Sequence, residues 1–282
     1  MENVKFDYLT YNIFDPKGKY TDNEFIPTKS RFWDNQGICK VIVEHPAGFQ
    51  QSQGSGFLIH FENKQKEEVF GFLSCVHVIE FTDLHRGHRR ANPDEIFLEF
   101  QSGFHRFKVS DIQTEGLPPY IFGPIDLYFV PVSHDFCAKM ASFNINFFPL
   151  MSSIQNQRVW IPQFPENQGL HISTATLTNM WSSEEAFPLH PLSTAEGSSG
   201  SPLVQQCNTQ YGVIGMHQGV NTNRTYNIAI SASTINDVLC IALDQNHPVN
   251  LDFPGEYNFP QNVTEDSESM NTSYILNVTQ IC

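Results

Sequence analysis

The segment Thr194-Ala195-Glu196-Gly197-Ser198-Ser199-Gly200-Ser201-Pro202-Leu203 places three serines within four residues, between glycines, and closes on a proline. Two readings compete for it. It is either a linker-like serine/glycine turn or a backbone cradle around a nucleophile. A cradle needs glycines where the chain turns tightly and aims its N–H groups into a cleft. A glycine two residues before the nucleophile offers one oxyanion donor, and the nucleophile's own N–H offers the other. A glycine directly after it leaves room for substrate. Ser199 alone has both neighbours, Gly197 and Gly200. Ser198 has Glu196 two positions back, and Ser201 has Ser199 two positions back with Pro202 directly after it. If the segment is a cradle, Ser199 is the nucleophile, and Gly197 and Ser199 supply the oxyanion hole.

A serine nucleophile needs a base, and the base needs an acid to orient it. His77 stands out among eleven histidines because it follows an apolar run, Phe72-Leu73-Ser74-Cys75-Val76-His77-Val78-Ile79. The competing reading is a satisfied core histidine. Asp126 sits near the head of Ile125-Asp126-Leu127-Tyr128-Phe129-Val130-Pro131-Val132. A charge entering so apolar a strand requires a partner, although a bond to a turn amide would also satisfy it. Cys75, two residues before His77, raises the alternative of a metal pair. No second pair at ligand spacing follows it, so no metal or organic cofactor is expected.

Composition narrows the field. The chain has 282 residues, 40% hydrophobic and 13% aromatic, enough to bury a core. Its formal net charge of −14 disfavours binding to a phosphate backbone. The one basic run, His85-Arg86-Gly87-His88-Arg89-Arg90, reads as a solvated loop. No apolar run reaches membrane-spanning length. The first residues lack the basic-then-apolar layout of a secretory signal. Six widely spaced cysteines without a C-x-x-C pair are expected to be reduced thiols, which suggests an intracellular (cytoplasmic or nuclear) protein. Four N-x-S/T triplets, at Asn223, Asn262, Asn271 and Asn277, point the other way and carry little weight.

Short β-branched and aromatic runs bounded by turn residues recur along the chain. They are Ile38–Val43, Phe57–Phe61, Val69–Ser74, Ile96–Phe100, Phe104–Val109, Asp126–Val132, Arg158–Ile161, Leu170–Thr174, Ser201–Val204, Tyr211–Met216 and Tyr226–Ile230. Ala232–Leu243 is the one strong helix candidate, with Ile235, Val238, Leu239 and Ala242 on one face and Ser233 to cap it. Many strands and one late helix predict an all-β sandwich or barrel.

The order His77, Asp126, Ser199 in these contexts resembles the trypsin-like (chymotrypsin-fold) serine peptidases. Leu73-Ser74-Cys75-Val76-His77-Val78-Ile79 is similar to that family's histidine motif. Ile125 to Val130 resembles its aspartate motif and Gly197 to Pro202 its serine motif, with Gly54-Ser55-Gly56-Phe57-Leu58-Ile59 preceding all three. The resemblance spans about residues 36–245. It implies two six-stranded antiparallel β-barrels with the active site between them, closed by the C-terminal helix. The expected units are an N-terminal extension (1–35), a first barrel (36–138), a second barrel with the helix (139–245) and a polar tail (246–282).

Two departures matter. Ser198 stands where secreted members carry the aspartate of their zymogen switch, and Val78 where they carry a cysteine. Both bring the chain nearer to bacterial glutamyl endopeptidases and to intracellular trypsin-like peptidases. Val213-Ile214-Gly215-Met216-His217-Gln218-Gly219 resembles a strand of glutamyl endopeptidases and viral chymotrypsin-like proteases, in which a histidine and a threonine read Glu or Gln before the scissile bond. The matching residues are His217 and Thr194. A wall histidine in an apolar pocket is the alternative. Gln218, Gly219 and Val220 would pair with substrate main chain. The implied activity is a serine endopeptidase acting on protein or peptide substrates. The alternative is an inactive protease-like peptide-binding module.

Overall fold

A computed structural model describes residues 26–27, 31–44, 52–83, 87–165, 168–177, 181, 186–220 and 226–244. The fold is mostly β. Its strands, in chain order, are β1 (Ile26–Pro27), β2 (Ile38–Val43), β3 (Ser52–Glu62), β4 (Glu68–Ser74), β5 (Glu80–Asp83), β6 (Gly87–Arg90), β7 (Ile96–Phe100), β8 (His105–Lys108), β9 (Tyr120–Phe122), β10 (Leu127–Pro131), β11 (Phe148–Pro149), β12 (Arg158–Gln163), β13 (His171–Thr176), β14 (Leu189–His190), β15 (Pro202–Cys207), β16 (Gln210–Val220) and β17 (Asn227–Ser231). The helices are α1 (Arg31–Asp34), α2 (Val76–Ile79), α3 (Val109–Ile112), α4 (His134–Ser142) and α5 (Ala232–Asp244).

These strands form two main sheets, consistent with a two-barrel chymotrypsin fold. One runs β8-β7-β2-β3-β4-β10-β9, with β11 added beside β3. The other runs β1-β13-β12-β15-β16-β17-β14. Pairing within each main path is antiparallel, and the short β11 is parallel to β3. The short β1 and β11 show how the chain laces the sheets together. Ile26 faces Ile172 in the second sheet, and Phe148 faces Ile59 in the first.

The first core is aromatic. Strand β7 alternates, with Ile96, Leu98 and Phe100 buried and Phe97 and Glu99 partly exposed, as a half-buried strand should. Strand β10 is buried along its whole length because it lies between β4 and β9. Phe57, Phe72, Phe100, Phe129 and Phe148 fill the interior. The second core has a smaller apolar cluster, built on Val159, Ile161, Trp181, Leu192, Leu203 and Ile214. Polar side chains occupy much of the rest. Gln163, Ser173, His190, Ser193, Thr194, His217 and Asn227 are all fully buried.

Helix α5 matches the late helix expected from its apolar face and extends one residue further. It buries Ile235, Val238 and Leu239 in the larger core. Helix α4 was not anticipated. Ser133 caps it, its hydroxyl accepting the Phe136 N–H at 3.2 Å, and Phe136 and Met140 are buried one turn apart.

Two arginines of the basic run are neutralised within the fold. Arg89 makes a two-pronged pair with Glu95, at 2.8 and 2.9 Å, and stacks over the Phe81 ring. Arg90 bonds Glu80 at 2.9 Å. His85 and Arg86 lie outside the described residues, as do the four sequon asparagines. Among the described residues no helix is long and apolar enough to cross a membrane.

Phe129 is fully buried, with the Phe61 and Tyr120 rings about it at 6.2 and 6.1 Å. Phe129→Ala should therefore cost about 3–5 kcal/mol of folding stability. A shift of the chemical-denaturation midpoint at unchanged slope would show it.

Candidate active site

His77 sits on the single turn α2, just after β4 ends at Ser74. Its neighbours Val76, Val78 and Ile79 point into the core. His77 does not, and its side chain is 19% exposed. This disposes of the core-histidine reading. Asp126 holds the ring from below. Its Oδ2 accepts from His77 Nδ1 at 2.6 Å and its Oδ1 accepts the His77 main-chain N–H at 2.9 Å. Both carboxylate oxygens are thus engaged by one residue, which fixes the imidazole's tilt and places its proton on Nδ1.

Asp126 is not the first residue of the strand, as the sequence suggested. It lies one position before β10, at the end of the 3-10 turn Gly123–Ile125, with φ 53° and ψ 40°. This left-handed conformation is one that aspartate tolerates better than most residues. It swings the carboxylate out of the sheet toward His77. Asp126 is only 6% exposed.

The segment around Ser199 is two tight turns in series. Ser198 N–H donates to Ala195 O at 3.0 Å, and Ser201 N–H donates to Ser198 O at 3.1 Å. The third position of each turn is a glycine with positive φ, Gly197 at 89° and Gly200 at 84°. That is the signature of type II turns. A Cβ at Gly200 would also lie 2.1 Å from Ser55 O. Among the described residues the N–H groups of Gly197 and Ser199 have no hydrogen-bond partner, so both are available to an incoming oxyanion. The flexible-linker reading is untenable, since Ser198 and Ser201 are fully buried and Ser199 is 4% exposed.

Contacts between the two sheets set the Ser199 turns against the elements that carry His77 and Asp126. Ser55 N–H donates to Ser199 O at 2.8 Å, and Ser55 Oγ donates to Gly197 O at 2.9 Å. Gly54 lies between Val78 and Ser199, where a Cβ would come within 2.5 Å of Val78 and 3.2 Å of Ser199 O. Gln218 Nε2 donates to Ile125 O at 2.6 Å. Ser199 Oγ itself donates to Gln218 O at 3.0 Å.

Cys75 adds a third ligand-type group to the pair. Its sulfur, a His77 ring nitrogen and an Asp126 carboxylate oxygen lie within 4.8 Å of one another. Burial, and then the Asp126 charge, push the Cys75 thiol well above its ordinary range, so it stays protonated.

The proposed substrate-reading residues lie deep in the second sheet. His217 Nδ1 and His190 Nε2 are 3.1 Å apart. Thr194 donates its hydroxyl proton to Asn227 Oδ1 at 2.8 Å, and Asn227 Nδ2 donates to Leu192 O. His190 and Asn227 are cross-strand partners. The Gln218 side chain is committed to Ile125. Gly219 and Val220 end β16 beyond a register shift between His217 and Gly219. Sequence reading missed Ser55, His190 and Asn227. Ser55 had a local signal, being flanked by two glycines, whereas His190 and Asn227 had none.

Comparison with known proteins agrees with the fold. No protein-family model matches the sequence, and no curated protein is similar to it at a significant level. Solved structures do match. The chain has the fold of the chymotrypsin-like serine proteases. A serine endoprotease from Yersinia pestis aligns with TM-score 0.50 at 15% identity, over 79% of this chain and 69% of that one. A Glu endopeptidase aligns with TM-score 0.49 at 12% identity, over 81% and 99%. A catalytically inactive tobacco etch virus protease, solved with substrate, aligns with TM-score 0.47 at 17% identity, over 74% and 84%. At these identities the likeness is one of fold.

Burial is the main reason both histidines of the inner pair resist protonation. It drives His217 down to about 3, helped by the nearby His77, and holds His190 well below its ordinary value. Above pH 6.5 both are neutral in the folded and the unfolded chain. Below 6.5 the unfolded chain takes up protons that the folded chain refuses, so stability falls from there down toward pH 3. The melting temperature should therefore drop across that window, and His217→Gln should flatten the drop. An unchanged slope would refute the neutral-pair assignment.

Proposed function

We propose that the protein is a serine endopeptidase that hydrolyses peptide bonds through an acyl-enzyme. The observation that carries this reading is the double grip of Asp126 on His77, together with a Ser199 turn, reached across Gly54 from Val78, whose two glycines leave paired N–H groups open. In this mechanism the Ser199 hydroxyl turns from Gln218 O toward His77 Nε2. His77 takes its proton as Ser199 Oγ attacks the scissile carbonyl, then delivers it to the leaving amine. Asp126 keeps the Nδ1 proton in place and stabilises the imidazolium. The N–H groups of Gly197 and Ser199 hold the oxyanion. Water, activated by the same imidazole, releases the acyl group. Residues 36–138 would carry His77 and Asp126, and residues 139–245 would carry Ser199. Ser198 supports activity without N-terminal processing, because its hydroxyl already accepts the Ala195 N–H at 3.0 Å inside the turn.

We extend the proposal to the side chain before the scissile bond, which His217 and Thr194 would read as Gln or Glu. The hydrogen-bond accounting favours Gln. Thr194 spends its proton on Asn227, so it offers substrate only lone pairs. A neutral His217 whose Nδ1 accepts from His190 carries its proton on Nε2. One acceptor and one donor complement a carboxamide, whereas a buried carboxylate would lack a countercharge. Gln218, Gly219 and Val220 would add the substrate main chain as a strand.

Ser199→Ala should lower peptide hydrolysis by at least about 10⁴-fold and abolish labelling by a fluorophosphonate probe. Persistent labelling would remove Ser199 from its role. A folded wild type that never labels would instead favour the binding module. A peptide-library profile should show cleavage after Gln, with Glu weaker. Dominant cleavage after Phe or Leu would sink the His217 and Thr194 assignment and leave the triad standing.

A further inference from the structure

The geometry points to a zinc-class metal site formed by Cys75 Sγ, His77 Nδ1 and Asp126 Oδ2, through which a divalent transition ion switches the site off. One thiol, one imidazole and one carboxylate are the ligand types that zinc combines, and the soft sulfur selects against magnesium and calcium. Their donor atoms already lie within 4.8 Å of one another. A tetrahedral zinc ion spaces such donors about 3.3–3.6 Å apart, from its usual bond lengths. Binding requires a small opening of the 2.6 Å contact between Nδ1 and Oδ2, with the sulfur settling at tetrahedral spacing from both.

The site is also preorganised. The His77 main-chain N–H is bonded to Asp126 Oδ1 at 2.9 Å, and Val76 N–H is bonded to Asp126 O at 3.3 Å. The two ligand-bearing segments therefore cannot drift apart. Cys75 Sγ contacts His217 O at 3.5 Å and also bonds the Asp126 carboxylate and the Gly200 main chain, so the thiol already lies against one of its partner ligands. The His77 side chain is 19% exposed, and the Cys75 thiol beside it is fully buried.

Binding changes the protons in a defined way. The thiol loses its proton to solvent. The single ring proton moves through solvent from Nδ1 to Nε2, so the ring stays neutral and Nδ1 offers its lone pair to the metal. One proton is released per ion. His77 then presents N–H to Ser199 where a lone pair is required, and Asp126 binds metal where it had accepted that hydrogen.

Titration of the full-length protein with Co²⁺ tests the site without reference to activity. A thiolate-to-cobalt charge-transfer absorption should rise to one equivalent and disappear on addition of Zn²⁺. Cys75→Ser should abolish that absorption, whereas Cys207→Ser should keep it. Should Cys75→Ser fail to fold, His77→Ala replaces it and should weaken cobalt binding by about 10–100-fold. No charge-transfer absorption in the wild type, or the same absorption in Cys75→Ser, overturns the site. The inhibitory role rests on the peptidase reading. Zn²⁺ should inhibit wild-type peptide cleavage reversibly, with an inhibition constant about 10–100-fold weaker in Cys75→Ser. A cobalt signal in a protein that never cleaves peptide would refute the peptidase and leave the metal site intact.

Discussion

The arrangement depends on one main-chain contact, the donation from Ser55 N–H to Ser199 O at 2.8 Å. Each sheet carries only part of the site. His77 and Asp126 belong to the first and are fixed to each other within it. Ser199 belongs to the second, on a pair of turns that nothing in the first sheet encodes. Ser55 joins them twice, through its N–H to Ser199 and through its hydroxyl to Gly197 O. Its hydroxyl also accepts the Phe164 N–H at 3.1 Å. The flanking glycines make this approach possible. A side chain at Gly54 would strike Val78, and one at Gly56 would strike the Phe72 ring and Leu73 O.

The two interiors do different work. The first is an aromatic core that gives a rigid base to β4 and β10, the strands that present His77 and Asp126. The second carries buried polar pairs behind the Ser199 turns. Gln163 bonds Ser173 and Ser193, and Thr194 bonds Asn227. Buried polar groups contribute little net stability even when satisfied, but they fix orientation, because each has few alternatives. The same burial keeps His190 and His217 neutral.

Much of this was legible in the sequence because the deciding signals are local. Glycine spacing singled out Ser199 among three serines, and positive φ at Gly197 and Gly200 is the reason those glycines are there. Alternation placed β7, and the apolar face of α5 placed the helix. Other features were missed for equally physical reasons. Asp126 reads as a strand residue because its left-handed turn comes from Gly123–Ile125 and the pull of His77, not from its own neighbours in the strand. Helix α4 spans only nine residues and buries only Phe136 and Met140, although Ser133 ahead of them was a usable signal. His190 and Asn227 carry no mark in sequence, since their partners are 27 and 33 residues away.

Cys75 shows the limit most clearly. Beside His77 in sequence it suggested a metal pair that lacked a third ligand, and the fold supplies that ligand from 49 residues beyond His77, the separation between His77 and Asp126. The sequence by itself determined the strands, the turns and the candidates for the site, since these follow from side-chain period and the steric freedom of glycine. Only the tertiary structure decided which of those residues meet. The bonds that join them, such as that from Ser55 to Gly197, span 142 residues and form only when two separate sheets have packed.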